Sequence, residues 1–155
     1  MNSIYGIAGG YFALYCLAHA INDWIPQSHY EAIHKSTNFR IRTRHCAIYS
    51  LLFLPAFLLF GLCWWKILAS LAILFVSHHI IDTYLGTLLW MKYVRKHPAF
   101  VAITDMKFRL SIDEDDKRAF RTAIQEPLGM ILMIAIDQFQ HFLFLLPVAW
   151  LTVMQ

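Results

Sequence analysis

Residues 67–91 read ILASLAILFVSHHIIDTYLGTLLWM, and Asp82 is the only Asp, Glu, Lys or Arg among them. A helix that crosses a bilayer needs about 20 predominantly apolar residues, so this stretch predicts a transmembrane helix. Three other stretches have the same character, at 1–22, 46–65 and 127–155. The chain is 59% hydrophobic and 15% charged, whereas soluble domains are about 45–50% apolar and about 25% charged. The composition therefore predicts an all-α polytopic membrane protein.

We expect a single domain over 1–155 that forms a bundle of four transmembrane helices, at about 2–24, 45–65, 67–92 and 127–153. The connections 25–44 and 93–126 are expected to carry short cytoplasmic helices. Pro26 ends or kinks the first helix, and an amphipathic interfacial helix is expected from Ser28 to Lys35. Ser111 and Glu114 have the spacing of a capping box, which predicts a helix from about 112 to 125.

The distribution of basic residues predicts the orientation of the helices. Twelve of the 13 Lys and Arg residues lie in segments 23–45 and 92–126, and basic connections mark the cytoplasmic side. Both termini are therefore expected outside, in a bacterial cytoplasmic membrane. The first stretch is interpreted as a retained helix, because it lacks the basic residues that begin a signal peptide. The expected partner is the lipid bilayer; a homo-oligomer stays open, and no nucleic acid is expected.

Three apolar stretches are associated with a histidine that has an aspartate four residues away, and His45 stands at the head of the remaining stretch. Ionisable residues are costly inside a membrane and usually mark a functional site, and a spacing of four places both members on one helix face. Imidazole and carboxylate together suit Zn, Fe or Mn better than calcium or magnesium. The pattern predicts one or two divalent ions, with Zn favoured, held by His19, Asp23, His45, His78, Asp82, Asp137 and His141.

Roles in catalysis and substrate binding are also predicted. An aspartate that is not needed as a ligand is expected to act as general base, so Asp82 and Asp137 are the catalytic candidates. Substrate contacts are expected from Gln27, Arg44 and Gln138. The donors of the third and fourth stretches are expected about 14 Å from the cytoplasmic end, deeper than those of the first two.

Some features allow two interpretations. The arginines at 40, 42 and 44 are better explained as an anchor for anionic headgroups than as clamps for a phosphate group. His78 matches the four-residue spacing and is favoured over His79 as the residue that faces the site. The three cysteines lack metal-ligand spacing and are interpreted as packing residues.

Several polar motifs follow one another along the chain. They are HAINDWIPQ at 19–27, Lys35, His45, HHIID at 78–82 and DQFQH at 137–141. In this order they resemble a family of small multi-helix membrane proteins of bacteria and their phages, and the resemblance spans nearly the whole chain. A looser similarity links the chain to inner-membrane proteins described as metal-dependent hydrolases. The resemblance implies a multi-pass membrane protein and leaves the reaction open; segment 99–125 has no counterpart in it.

These observations favour a metal-dependent hydrolase with its site in the cytoplasmic half of the bundle. A bound divalent ion lowers the pKa of water to about 7, and a lipid-linked or phosphorylated substrate is expected. Two alternatives stay open. The His and Asp residues could conduct protons or metal ions, or the polar centre could be structural in a membrane interaction subunit that binds partners through segment 92–126.

Overall fold

The computed structural model describes residues 4–83, 87 and 127–154, and all regular structure within them is α-helical. The expected connection 93–126, with its helix at 112–125, lies outside the described residues. The helices that the structure describes are α1 (Ile4–Trp24), α2 (His29–His34), α3 (Phe39–Leu51), α4 (Leu54–Leu59), α5 (Trp64–Ile81) and α6 (Pro127–Val153).

Three of the described helices are long and apolar enough to cross a membrane. They are α1, α5 and the Ile131–Val153 part of α6, with 21, 18 and 23 residues. At about 1.5 Å per residue these lengths correspond to about 27–35 Å, close to the hydrocarbon thickness of about 30 Å. Leu17, Leu68 and Leu143 are exposed on their outward faces. Apolar side chains outside and ionisable ones inside are the arrangement expected of a chain solvated by lipid.

The predicted span 45–65 is not one continuous helix. α3 ends at Leu51 and α4 begins at Leu54, and each is shorter than a membrane-length helix. Pro55 explains the break, because it has no N–H to donate to the Leu51 carbonyl and its ring clashes with that carbonyl in a continuous helix. Among the described residues, three helices are therefore candidate spans, and the expected count of four is not confirmed.

α4 and α5 are joined by a tight turn at Gly61. Its φ is +68°, a left-handed conformation that glycine adopts without steric cost. The Gly61 N–H donates to the Leu58 carbonyl at 3.0 Å and the Leu62 N–H donates to the Phe57 carbonyl at 3.1 Å, which is the Schellman pattern. Leu62 and Phe57 are both buried, so packing and backbone hydrogen bonds together fix this turn.

α5 ends earlier than the helix predicted over 67–92. Its last residue is Ile81, and Asp82 and Thr83 form a turn in which the Asp82 N–H donates to the His78 carbonyl at 2.9 Å. Asp82 therefore lies at a helix end, as does Asp23, one residue before α1 ends. Both carboxylates contact Lys35 Nζ, at 3.3 and 3.0 Å, so the expected difference in depth between them is not seen.

The connection between α1 and α3 contains the expected short helix, α2, whose N-cap is Ser28. The Glu31 N–H donates to Ser28 Oγ at 3.2 Å, and the Ser28 N–H donates to the Glu31 carboxylate at 2.9 Å. This second bond lowers the pKa of the Glu31 carboxyl. At the other end of α2, Arg42 donates to the Lys35 carbonyl at 3.1 Å. The two caps fix the position of Lys35 against the bundle.

The bundle packs around an aromatic and aliphatic core. α6 packs against α1 and α5, and α3 packs against α5. α1 and α6 are antiparallel, because His19 meets Gln138 whereas Tyr5 meets Trp150. The core includes Tyr15, Tyr49, Phe53, Phe57, Leu74, Leu145 and Val148.

Lys66 joins two helices at the end of the bundle where α5 begins and α6 ends. Its side chain is buried, and its Nζ donates to the backbone carbonyl of Met154, one residue beyond α6. A cation at the C-terminus of a helix interacts favourably with the helix dipole. This contact therefore fastens α5 to α6.

Candidate metal centre

Two aspartates and two histidines converge where α1 and α5 end. They are Asp23 of α1, His45 of α3, and His78 and Asp82 at the end of α5, here called the tetrad; 5% or less of each residue is exposed. His45 Nε2 lies 3.0 Å from both Asp23 Oδ1 and His78 Nε2. His78 Nε2 lies 3.4 Å from Asp23 Oδ1 and 3.3 Å from Asp82 Oδ2. His45 Nε2 lies 3.5 Å from Asp82 Oδ2.

Asp23, His45 and His78 form a compact group that could hold a metal ion, and the four tetrad atoms lie close to one another. Five of the six separations between them lie in the range 3.0–3.5 Å. Atoms bound to Zn at about 2.0–2.1 Å are about 3.3 Å apart in a tetrahedron. The two imidazole nitrogens need a proton or a cation between them, because their lone pairs otherwise repel. The residues therefore fit one divalent ion with nitrogen and oxygen ligands, as Zn, Fe and Mn accept.

Cys46 offers a second combination of donors, together with His78 and Asp82. Its Sγ is 3.9 Å from Asp82 Oδ2, farther than any of the five separations given for the tetrad. Because both combinations include His78, they are alternatives for one ion rather than two separate sites. The donor atoms of Asp23, His45 and His78 lie within 3.0–3.4 Å of one another, closer than the Cys46 combination, so they could hold an ion more readily.

Lys35 is buried against the tetrad. Its Nζ is 3.3 Å from Asp23 Oδ1 and 3.0 Å from Asp82 Oδ1, and it is 3.4 Å from His45 Nε2. Asp82 therefore directs one carboxylate oxygen at the lysine and the other at the two histidines. Buried carboxylates cost several kcal/mol unless they are paired. Lys35 supplies that pairing from the C-terminus of α2 to the ends of α1 and α5.

His19 lies beside the tetrad, but both of its ring nitrogens have hydrogen-bond partners. Nε2 is 3.0 Å from the Gln138 side-chain oxygen and Nδ1 is 2.9 Å from the Tyr49 hydroxyl. Since an amide oxygen only accepts, Nε2 carries the proton and Nδ1 accepts from Tyr49. The Tyr49 ring stacks on His78 with centroids 3.9 Å apart. His19 therefore supports Tyr49 and His78 instead of joining the tetrad.

His141 and Asp137 of α6 lie next to the tetrad without joining it. The His141 ring centroid is 4.5 Å from that of His78. Its Nδ1–H donates to the Asp137 carbonyl at 2.9 Å, and the Asp137 carboxylate is 3.6 Å from the same nitrogen. Nε2 is left with its lone pair, and it is buried with no hydrogen-bond partner among the described residues. This nitrogen can accept a proton from a bound ligand.

Of the seven predicted ligands, the structure thus brings four together and places His19, Asp137 and His141 around them. His78 is a member of the tetrad, whereas the Nε2 of His79 lies 3.1 Å from the Thr43 hydroxyl outside it.

The predicted substrate contacts lie in three different surroundings. Gln138 accepts from His19 and donates to the Asp137 carboxylate at 3.3 Å. Gln27 is half-buried in the turn after α1. Arg44 has a side chain that is 73% exposed and that lies 3.7 Å from Glu31. Its exposure and its acidic partner fit a surface anchor better than a substrate clamp.

The ligand pattern did not single out Lys35 or Tyr49 as site residues. Lys35 is the first Lys or Arg of the chain. In the sequence it is notable only as one of the motifs that carry the family resemblance. Tyr49 lies four residues after His45, on the same helix face. A search for any polar residue four positions from a histidine, and not for aspartate alone, identifies Tyr49.

The fold and the site together define an all-helical protein, over the residues the structure describes, with three helices that could cross a membrane and a buried His/Asp cluster that could hold a metal ion. No family model, curated protein or solved structure matches the chain. The function is therefore argued from the site itself.

Proposed function

We propose that the protein is a membrane-embedded metal-dependent hydrolase whose divalent ion, with Zn favoured, is held by the tetrad. The observation that carries this proposal is the 3.0–3.5 Å spacing of five of the six pairs among four buried donor atoms. A divalent ion bound there would polarise water and the scissile phosphoryl or acyl group. Because Asp23 and Asp82 lie at helix ends, a substrate at the membrane interface has a short path to them.

In this proposal His141 is the general base. Its Nε2 accepts a proton from the attacking water, since the bond from Nδ1–H to the Asp137 carbonyl fixes the tautomer. The Asp137 carboxylate, 3.6 Å from Nδ1, stabilises the ring once it is charged. A well-placed general base contributes about 10²–10⁴ in rate. Asp82, a catalytic candidate from the sequence, is assigned here as a ligand, and Asp137 supports the base.

The packing supports an enzyme over a conducting protein. Tyr15, Phe53, Phe57 and Leu145 of the described core are each 1% exposed or less. Apolar side chains this deeply buried disfavour a polar path through the described part of the bundle. The tetrad and its neighbours lie toward one end of the bundle, as expected of a site that exchanges substrate with one face of the membrane.

Elemental analysis combined with an esterase and phosphatase assay tests the proposal. The purified protein is equilibrated with Zn²⁺, and hydrolysis of nitrophenyl acyl and phosphate esters is measured before and after chelation. We expect one ion per chain, loss of hydrolysis on chelation and recovery when the metal is restored. A folded protein that takes up no Zn, Mn or Fe refutes the metal site. Stoichiometric metal without hydrolysis of any ester refutes the hydrolase.

A further inference from the structure

A chain of hydrogen bonds joins Tyr49 on α3 to Asp137 on α6. The Tyr49 hydroxyl donates to His19 Nδ1 at 2.9 Å, and His19 Nε2–H donates to the Gln138 side-chain oxygen at 3.0 Å. The Gln138 amide nitrogen then donates to Asp137 Oδ2 at 3.3 Å. The same carboxylate oxygen lies 3.6 Å from His141 Nδ1. The chain therefore ends against the residue that the proposed function uses as general base.

The donors of this chain all run in one direction. A carboxylate only accepts hydrogen bonds, so the Gln138 amide turns its nitrogen to Asp137 and its oxygen to His19. An amide oxygen also only accepts, so His19 carries its proton on Nε2 and leaves Nδ1 to accept from Tyr49. His19 and Tyr49 are buried, so water does not compete with their bonds. In such surroundings each bond of a chain strengthens the next.

We infer that Gln138 is a positioning residue for His141, an inference that rests on the proposed function. The other carboxylate oxygen of Asp137, Oδ1, is buried and has no hydrogen-bond partner among the described residues. The bond from Gln138 is thus what holds Oδ2 toward the His141 ring. A carboxylate in this position stabilises the imidazolium that forms when the ring takes a proton. Because both ends of its amide are engaged, Gln138 is assigned here to the base and not to the substrate.

The same chain connects the base to the tetrad. The Tyr49 ring stacks on His78 with centroids 3.9 Å apart, and the His19 ring stacks on His141 with centroids 4.8 Å apart. A histidine that binds a metal is usually oriented through its second ring nitrogen, but His78 Nδ1 is buried without a hydrogen-bond partner in the part of the chain that the structure describes. Stacking on Tyr49 takes that role. One hydrogen-bonded chain therefore positions both the ligand and the base.

The kinetics of Gln138→Met test the inference, because methionine has a similar length and lacks the amide donor and acceptor. Ester hydrolysis by the Zn-loaded protein is measured as kcat and KM after the metal content is determined. We expect normal metal content and KM, with kcat lowered about 10–100-fold, the usual effect of removing such a supporting partner. Gln140→Met is the matched control on α6. It should keep the wild-type kcat, since residues two apart do not share a helix face.

The division between kcat and KM distinguishes positioning from the alternatives. A raised KM with unchanged kcat identifies Gln138 as a substrate contact and overturns the inference. An equal loss of kcat in Gln140→Met, or loss of metal from Gln138→Met, overturns it too, because either shows a general disturbance. A wild type that hydrolyses no ester contradicts the proposed function, whereas an active wild type with an unaffected Gln138→Met contradicts this inference alone.

Tyr49→Phe tests the chain from its other end, and it serves on its own if Gln138→Met does not fold. The variant keeps the ring on His78 and removes the hydroxyl that donates to His19, so we expect unchanged metal content and KM and a lower kcat. In the double variant with Gln138→Met the two losses should not multiply, because both act through one chain. A wild-type kcat in Tyr49→Phe, or multiplied losses in the double variant, overturns the inference.

The direction of the chain has a readout besides activity. NMR of the Zn-loaded protein with nitrogen-labelled histidine reports which ring nitrogen of His19 carries the proton. We expect the Nε2–H tautomer in the wild type and a mixture of tautomers in Gln138→Met, which lacks the amide acceptor. An Nδ1–H tautomer in the wild type would show that the chain does not run toward Asp137, and it overturns the inference.

Discussion

Asp23 and Asp82 lie on different helices, yet their carboxylates face the same ammonium, at 3.3 and 3.0 Å from Lys35 Nζ. The same two carboxylates also contact both histidines of the tetrad. The site is thus assembled from α1, α3, α5 and the end of α2, and no single helix contains it. This construction makes the contribution of each residue separable by substitution.

Removing one tetrad donor should abolish metal binding. His78→Ala deletes one of the four converging atoms, so we expect metal affinity to fall at least about 100-fold, beyond the range for residues that only support a ligand. His79→Ala is the matched control, because the adjacent ring bonds Thr43 outside the tetrad. Metal content after dialysis measures both. Stoichiometric metal in His78→Ala would refute the assignment of the tetrad.

His141→Ala should separate catalysis from metal binding. The variant keeps all four tetrad donors but loses the buried Nε2, so we expect normal metal content and hydrolysis reduced by about 10²–10⁴. His29→Ala is the control, since His29 is exposed at the start of α2. A wild-type rate in His141→Ala contradicts its role as base. Loss of metal would instead identify His141 as a ligand.

Gly61→Ala should destabilise the fold without touching the site. A Cβ at this position meets open space, but the φ of +68° costs an alanine about 1 kcal/mol in free energy of unfolding. Gly10→Ala, inside α1 and equally uncrowded, should stabilise by about 0.5–1 kcal/mol, since glycine weakens a helix. Thermal unfolding in detergent compares them. An unchanged midpoint for Gly61→Ala would argue against the left-handed turn.

Lys66→Met should loosen the junction of α5 and α6. The variant loses the cation that contacts the Met154 carbonyl, and a partly buried charge at a helix C-terminus contributes up to about 2 kcal/mol. We expect a lower midpoint of thermal unfolding with unchanged metal content, because Lys66 lies at the opposite end of α5 from the tetrad. Lys66→Arg keeps the charge and should lose less. A metal-depleted Lys66→Met would show that the two ends are coupled.

Local patterns in the sequence were sufficient to predict the helical fold and to include all four tetrad residues among the seven expected ligands. The spacing of His78 and Asp82 predicts a pair, and the pair is present at 3.3 Å. The expected pair of His19 and Asp23 shares a face of α1, but His19 is satisfied by Tyr49 and Gln138. That outcome depends on how α3 and α6 are rotated against α1, which no spacing within one helix can reveal.

Two further differences between the expected and the observed structure have other physical causes. The break in the predicted span 45–65 is local, and Pro55 alone indicates it once the missing N–H is considered. The place of Lys35 is not local, because its burial depends on α2 folding back against two distant helix ends. A lone lysine after an apolar helix usually remains in water, so its position required the three-dimensional structure.

The two ends of the bundle are fastened by different chemistry, and this predicts a gradient of rigidity along the membrane normal. At one end, Lys66 contacts the Met154 carbonyl, a bond that no chelator removes. At the other end, Lys35 pairs with Asp23 and Asp82, and the proposed metal ion would add further attraction between the converging donors. Chelation should therefore speed amide hydrogen exchange in the last turns of α1 and α5 while the opposite ends stay protected. The protein would then open from one face only.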